Sequence, residues 1–351
     1  MKKIWLVLLF IICIVNGEAF AQDDGLKRSH AVFFLPGLAI EQPDGSFSVN
    51  IDAWVFEKRQ KRIAAAALAS WMKIDLDALS PEQKILFYER TRYFRTNSES
   101  NRTLRIQMAE QIFTLPSTNA AGRVHTELNV GREWVKWEGD ALARHGWIGW
   151  TLEAPAHPLH GLEGRSWVIP AEGVSIVSDI DDTIKISDVL NKRTLIHNTF
   201  LEPFQAVPGM AEWYQEMARN EQRAFFHYLS ASPIQLYPAL SKFLEEAHFP
   251  PGALHLREST SWRTLYSGRK ITIAHKKRAI TRLLTAYPQR KFILIGDSGE
   301  NDPEIYADIA RTYPERILAI HIRNVTSEDR AAPRYQQTFA EIDPQIWHIR
   351  D

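Results

Sequence analysis

Cysteine occurs once in this 351-residue chain, at Cys13 inside an N-terminal apolar run, so the body of the protein has no thiol and no disulfide of its own. That excludes a disulfide scaffold and leaves an oxidising compartment tolerated but not exploited. Net charge is missing too, with 42 basic residues against 42 acidic ones. Binding to nucleic acid in general rests on a basic surface that neutralises phosphates, so no nucleic-acid partner is expected. With 45% apolar and 24% charged residues, the chain is neither disordered nor membrane-embedded throughout. Its one apolar run of note, Ile4–Val15, follows Lys2 and Lys3 and precedes the small-x-small triplet Ala19-Phe20-Ala21. About a dozen apolar residues is short for a membrane span, so residues 1–21 read as a cleavable secretory signal. Export to the periplasm or the medium is the expectation. Removal of Lys2, Lys3 and Glu18 leaves 40 basic and 41 acidic residues.

What remains has two rhythms. Over residues 22–165, "HAVFFLPGLAI", "FSVNIDAWVF", "TLRIQMAEQIF" and "RVHTELNV" alternate as strands covered on one face do. Between the second and third lie "EKRQKRIAAAALASWMKI" and "SPEQKILFYERTRYFR", the latter opening with Ser80, Pro81 and Gln83 as a capping box does. This half is expected to be a smaller β-rich, sandwich-like domain with a helical insertion. Trp134, Trp137, Trp147 and Trp150 read either as a binding platform with one wet edge or as core packing.

After "PAHPLHGLEG" the apolar runs become short and near-continuous: "GVSIVSDI", "RAFFHYLS", "ALHLR", "KFILIGDS" and "RILAIHIR". Such runs suit strands buried on both faces, and most alternate with helical patterns such as 234–247 and 276–287. Residues 166–351 are therefore expected to form an α/β domain with a doubly wound parallel sheet. Ligand sites in such sheets lie beyond the carboxyl ends of the strands.

Four clusters fall at those ends. Asp179 and Asp181 close the first run and point the same way along an extended chain. Paired carboxylates of this kind take different roles when their surroundings separate their pKa values, and a dication relieves their repulsion. Ser230 and Ser232 end the second run with hydroxyls suited to an anion. "GDSGEND" supplies Asp297 and Asp302 as hard oxygen ligands of the type Mg²⁺ prefers. Lys276 and Lys277 open the helical pattern before that strand, where an anion would explain a cation set against the helix dipole. Each cluster alone has a plainer reading, as a calcium loop, a polar turn or a solvated helix end. Together and in this order they point to one site for phosphate and a metal.

Asp-x-Asp-x-Thr (Asp179, Asp181, Thr183), a strand-end serine, a helix-borne lysine and a later acidic motif resemble the haloacid dehalogenase superfamily. "SDIDDTIK", "FHYLSASPIQLYPAL", "FPPGALHLR" and "FILIGDSGENDPEIY" are similar, over about residues 170–325, to the actin-patch phosphatidate phosphatase family. The resemblance implies a haloacid dehalogenase-like fold and a nucleophilic Asp179 that becomes an aspartyl-phosphate. It implies Asp181 as general acid and base, Thr183 in the motif, and Ser230 and Lys276 on the phosphoryl oxygens. Lys276 is preferred to Lys277 because the family's lysine directly follows a histidine. Mg²⁺ is implied between Asp179 and Asp297, with Asp302 in support and Asp181 contributing its backbone carbonyl.

The implied substrate is phosphatidate, hydrolysed to diacylglycerol and phosphate. An exported phosphatase for another phosphomonoester, or a phospholipid-binding protein without turnover, are the alternatives. No segment is long enough for a large cap, so the site is expected to be open. Its rim would be Leu190, Leu195, Ile196, Phe200 and Phe204, unless these pack on the sheet. Arg257, Arg263, Arg269 and Lys270 beside Trp262 would meet an anionic membrane surface, giving peripheral membrane contact.

Overall fold

The structure is a computed structural model describing residues 25–58, 62–138, 145–221, 223–258 and 268–350. The leader at 1–21, Trp262 and Arg263 lie outside the described residues. Among the described residues no helix is long and apolar enough to cross a membrane.

Nine strands come first: β1 (His30–Leu35), β2 (Gly37–Glu41), β3 (Phe47–Glu57), β4 (Arg105–Met108), β5 (Gln111–Thr114), β6 (Arg123–Val130), β7 (Lys136–Glu138), β8 (His145–Leu152) and β9 (Glu163–Val168). Hydrogen bonds join them in a single sheet, β1-β3-β2-β9-β8-β4-β5, with β6 on β3 and β7 on β8. The sandwich-like arrangement read from the alternation is thus one continuous sheet around one core. In β3, Phe47, Val49, Ile51, Ala53 and Val55 point inward, where they join Ile148, Trp150 and Leu152 of β8. Trp150 belongs to that core and Trp134 and Trp137 pack against it, which favours packing over a platform for these three.

The other face of β3 explains the helical insertion. Trp54 and Phe56 point outward into a second core, which α1 (Arg62–Met72) covers with Leu68 and Met72 and α2 (Pro81–Arg90) with Phe87. Helix α2 starts as its sequence requires, with the Ser80–Gln83 capping box closed in both directions. The insertion therefore cements the two sheets to each other.

The second sheet holds β10 (Val174–Asp179), β11 (Phe225–Pro233), β12 (Gly252–Arg257), β13 (Lys291–Asp297), β14 (Ile317–Arg323) and β15 (Trp347–Arg350), in the order β12-β11-β10-β13-β14-β15. Every neighbouring pair is parallel. Side chains alternate across it. Ile176, Ile293 and Ile295 enter the core under α4 (Met210–Asn220) and α5 (Tyr237–Glu246). Val177, Phe292 and Leu294 enter the core under α6 (Arg269–Ala286), α7 (Asp302–Thr312) and α8 (Pro333–Thr338). Both faces are covered, as the unbroken apolar runs require.

The chain winds from β10 outward to β11 and β12, then crosses back to β13 on the other side of β10. Beyond the carboxyl ends of β10 and β13 the strand order reverses, and such a reversal opens a crevice. β9 straddles residues 165 and 166, where the domain boundary was expected, so the change of sheet comes after Val168. No turn signal interrupts "GRSWV" to mark that boundary. After Thr183 the chain adds only α3 (Lys192–Phe200) before α4.

Candidate active site

The three acids after β10 divide their work. Asp182 is a structural residue: it takes a left-handed backbone, φ 56°, which short polar residues tolerate. Its carboxylate accepts the backbone N–H groups of Ser187 (2.7 Å) and Asp188 (2.9 Å), and its own N–H donates to Lys185 O (2.7 Å). This closes a tight loop. Asp179 and Asp181 are left to face the crevice.

Asp179 is buried at the strand end. Its Oδ1 pairs with Lys276 Nζ at 2.7 Å, and Thr183 Oγ1 donates to its Oδ2 at 3.1 Å. Asp181 faces a different set of partners. Lys185 Nζ lies 2.8 Å from its Oδ1 and Ser187 Oγ donates to the same oxygen at 2.8 Å. Ser230 Oγ donates to its Oδ2 at 3.2 Å, with Ser232 Oγ at 3.5 Å.

The acidic loop after β13 completes the site. Asp297 Oδ1 accepts from the backbone of Gly299 (2.6 Å) and Glu300 (3.0 Å). Asp302 stands in the first turn of α7, where the helix dipole favours a carboxylate. It reaches the strand end because residue 296 is glycine: a Cβ there would stand 2.3 Å from Asp302 Oδ2. Arg334, from α8, clamps this loop through Ser298 O (2.6 Å) and Glu300 O (2.8 Å). Lys276 reaches in from α6 to Asp302 Oδ1 (2.6 Å) and Glu300 Oε2 (2.9 Å), while Lys277 turns outward to Asp308.

One ammonium thus faces Asp179, Asp297, Asp302 and Glu300. Burial works to strip Lys276 of its proton, but Asp179, Asp302 and Glu300 hold it charged, with its pKa well above the ordinary value. Burial pushes Asp179 well up; Lys276 pulls the other way, and the neighbouring acids add to the rise. Burial and Asp302 push Asp297 up in the same manner. At Asp181 burial also opposes ionisation, but Lys185, Ser187 and Ser230 outweigh it, and its pKa is lowered.

The triad meets the test for a hard cation. Ligand oxygens of Asp179, Asp297 and Asp302 all lie within 4.8 Å of one another. Asp297 Oδ2 is buried without a hydrogen-bond partner, a costly state for a carboxylate oxygen unless a cation takes it up. The donors are all oxygen, which suits Mg²⁺ rather than a thiophilic metal. The side chain of Asp181 stands apart from this triad, with Lys185.

The structure brings together Asp179, Asp181, Thr183, Ser230, Lys276, Asp297 and Asp302. Lys276 is buried among Asp179, Glu300 and Asp302, whereas Lys277 pairs with Asp308 at the surface. Lys185, Ser187, Glu300 and Arg334 were not legible as site residues. For Lys185 the only signal was a basic residue inside "SDIDDTIKIS". His275, before Lys276, is packed with Nε2 3.1 Å from Ser230 O. Of the expected apolar rim, Leu195 and Phe200 line a cavity of about 120 Å³ beside Asp181, together with Val189, Ser232, Leu236 and Glu300. Leu190 is exposed next to it, whereas Ile196 and Phe204 pack on the core. Arg257 is buried against Ala231 O and so is no surface cation, whereas Arg269 is exposed with its Nε donating to Asn301 Oδ1.

Fold and site define a class: parallel α/β proteins with an acidic, cation-seeking pocket at the switch point of the sheet. Residues 174–324, less than half of the chain, match the family described as "Phosphatidate phosphatase APP1, catalytic domain". Phosphatidate phosphatase APP1 of Saccharomyces cerevisiae is 34% identical over 217 residues, covering 60% of this chain and 36% of that protein. An uncharacterized protein of Schizosaccharomyces pombe is 35% identical over 183 residues, covering 51% of this chain and 30% of that one. The chain therefore spans about a third of the length of these relatives. Among solved structures, a family two carbohydrate esterase from Cellvibrio japonicus aligns over 89% of this chain and 98% of that one, with a TM-score of 0.21 and 11% identity, too distant to inform the fold.

Proposed function

We propose that the protein is an Mg²⁺-dependent phosphatidate phosphatase of the haloacid dehalogenase type, releasing diacylglycerol and phosphate. The observation that carries this reading is the set of two aspartates at the end of β10, each held by its own buried lysine, inside the stretch that matches the phosphatase family.

Asp179 attacks phosphorus, the bond to the leaving oxygen breaks, and an aspartyl-phosphate forms. Asp181, held as a carboxylate by Lys185 before substrate binds, takes up the proton of the monoanionic ester, passes it to the leaving alkoxide and later takes one from the water that releases phosphate. Thr183 fixes the Asp179 carboxylate, and Ser230 with Lys276 holds the phosphoryl oxygens, since phosphoryl transfer is catalysed largely by positioning and charge compensation. Asp179, Asp297 and Asp302 would hold the metal, which when bound supplies compensation for negative charge on the transferring group.

The surroundings of the site favour a lipid. Val189, Leu195, Phe200 and Leu236 give the cavity apolar walls. Among the described residues only eight large hydrophobic side chains are exposed, and three of them, Ile186 (42%), Leu190 (62%) and Ile271 (55%), lie beside residues of this site in the chain. Lys192, Arg193 and Lys270 are exposed in the same segments, so apolar and basic groups alternate as an anionic bilayer requires. With the signal read at residues 1–21, the enzyme would meet phosphatidate in an exposed leaflet.

The deciding experiment is phosphate release by the purified protein with Mg²⁺, from phosphatidate in vesicles and from soluble phosphomonoesters. Turnover of vesicle phosphatidate at the higher kcat/KM supports the reading. A soluble ester preferred to the lipid would make this a phosphatase for another phosphomonoester. Vesicle binding without phosphate release from any ester would make it a lipid-binding protein.

A further inference from the structure

We infer that Lys185 is the positioning residue for proton transfer by Asp181, holding one carboxylate oxygen so that the other faces the leaving group. The inference rests on the reading of Asp181 as the general acid.

Lys185 is buried, and among the described residues Asp181 is the carboxylate with which it pairs. An ammonium taken from water needs such a partner, so the pair holds together before any substrate arrives. The backbone of Lys185 is itself pinned. Its N–H donates to Ile180 O (3.0 Å), its carbonyl accepts from Asp182 N (2.7 Å), and residues 185 and 206 form a β-bridge. Its ammonium also stands over the Phe204 ring, 4.9 Å from the centroid. Lys185 and Ser187 both hold Oδ1 of Asp181. Oδ2 is left with the longer contacts to Ser230 and Ser232, and Ser232 lines the same cavity. One oxygen is anchored in the protein and the other is presented to the pocket. Asp179, by contrast, is held by Lys276, so the two acids are oriented independently.

The consequence is a dependence on leaving group. A poor leaving group such as an alkoxide needs the proton from Asp181, whereas nitrophenolate departs without it. A carboxylate turned away from the pocket therefore slows the first ester and spares the second. A misplacement of about 1 Å can cost a factor of about 10².

The test uses the full chain with Mg²⁺ and follows the first turnover by rapid quench, with hexyl phosphate and 4-nitrophenyl phosphate as paired substrates. Lys185→Met is expected to slow alcohol release from hexyl phosphate about 10- to 100-fold more than nitrophenolate release. Asp181→Asn should show the same bias more strongly. Lys185→Gln, which can still donate to Oδ1, should recover part of the loss, and it replaces Lys185→Met if that variant melts below the assay temperature. Equal losses on both esters would make Lys185 merely structural and overturn the inference, as would no loss on either. If Asp181→Asn shows the bias and the Lys185 variants do not, only the role of Lys185 falls. If Asp181→Asn shows none, the proton-transfer reading of Asp181 falls, and this inference with it.

Discussion

Lys276 Nζ stands 2.7 Å from Asp179 Oδ1 at the closed end of β10, while the next residue in the chain, Lys277, pairs with Asp308 on the outer side of α6. Two adjacent lysines thus differ in everything but sequence position. Removing Lys276 leaves Asp179, Asp302 and Glu300 without their cation. Lys276→Met should cost about 3–5 kcal/mol in the metal-free protein, as breaking a buried pair does. Lys277→Ala removes an exposed pair and should stay within about 1 kcal/mol. Denaturant melts of both variants check this, and a larger loss for Lys277→Ala would reverse the assignment.

Asp179→Asn and Asp181→Asn should each abolish phosphatidate hydrolysis without unfolding the protein. Asp179 is a buried acid crowded by other acids, so its melting temperature should hold or rise on neutralisation. Loss of the general acid alone is expected to cost about 10² to 10⁴ in rate on unactivated esters. Activity within a few-fold of the parent in either variant would remove that residue from its role.

The buried triad makes metal-free stability fall with rising pH. Burial holds the Asp179, Asp297 and Asp302 carboxyl groups above the ordinary carboxylate range. A raised carboxyl binds its proton more tightly folded than unfolded. Its stabilising contribution is present at low pH and is lost as pH rises through the raised value. Asp297→Asn should therefore match the parent in acid and become the more stable of the two towards neutral pH, in chelator. Mg²⁺ should raise the melting temperature of the parent more than that of Asp297→Asn, and chelation should stop turnover. A metal-free difference that shrinks with pH would contradict the burial argument.

Leu190 and Ile271 are exposed next in the chain to the cavity-lining Val189 and Thr272, and Leu190→Asp with Ile271→Asp should weaken hydrolysis of phosphatidate in anionic vesicles by about tenfold or more, since each removes apolar contact and adds charge against the surface. Hydrolysis of 4-nitrophenyl phosphate should change much less. Co-sedimentation with phosphatidate vesicles gives the binding half of the comparison. Equal losses on both substrates would place these residues in the reaction rather than at the surface.

The sequence by itself determined the α/β half of the protein closely. Continuous apolar runs such as "KFILIGDS" admit a strand buried on both faces, and chemistry then has one place to go, at the carboxyl ends. Asp179, Asp181, Ser230 and Asp297 could be named because strand ends are short-range features. The four-residue β15 was not legible, because a strand so short carries too little pattern. Neither was the single continuous sheet of the first half, since alternation reports which face is covered and not by what.

Only the tertiary structure decided which charges meet. Only the resemblance, through the preceding histidine, favoured Lys276 over Lys277, and their separation in space comes from the turn of α6 that faces Asp302 across 26 positions of chain. No local pattern marks Lys185, and it is the loop closed through Asp182 that turns its ammonium onto Asp181. The cavity walls depend on where α3 returns across the end of β11. Local sequence sets backbone and burial, but the pairing of buried charges is settled by contacts far apart in the chain, where one residue's turn of a helix separates a site residue from the surface.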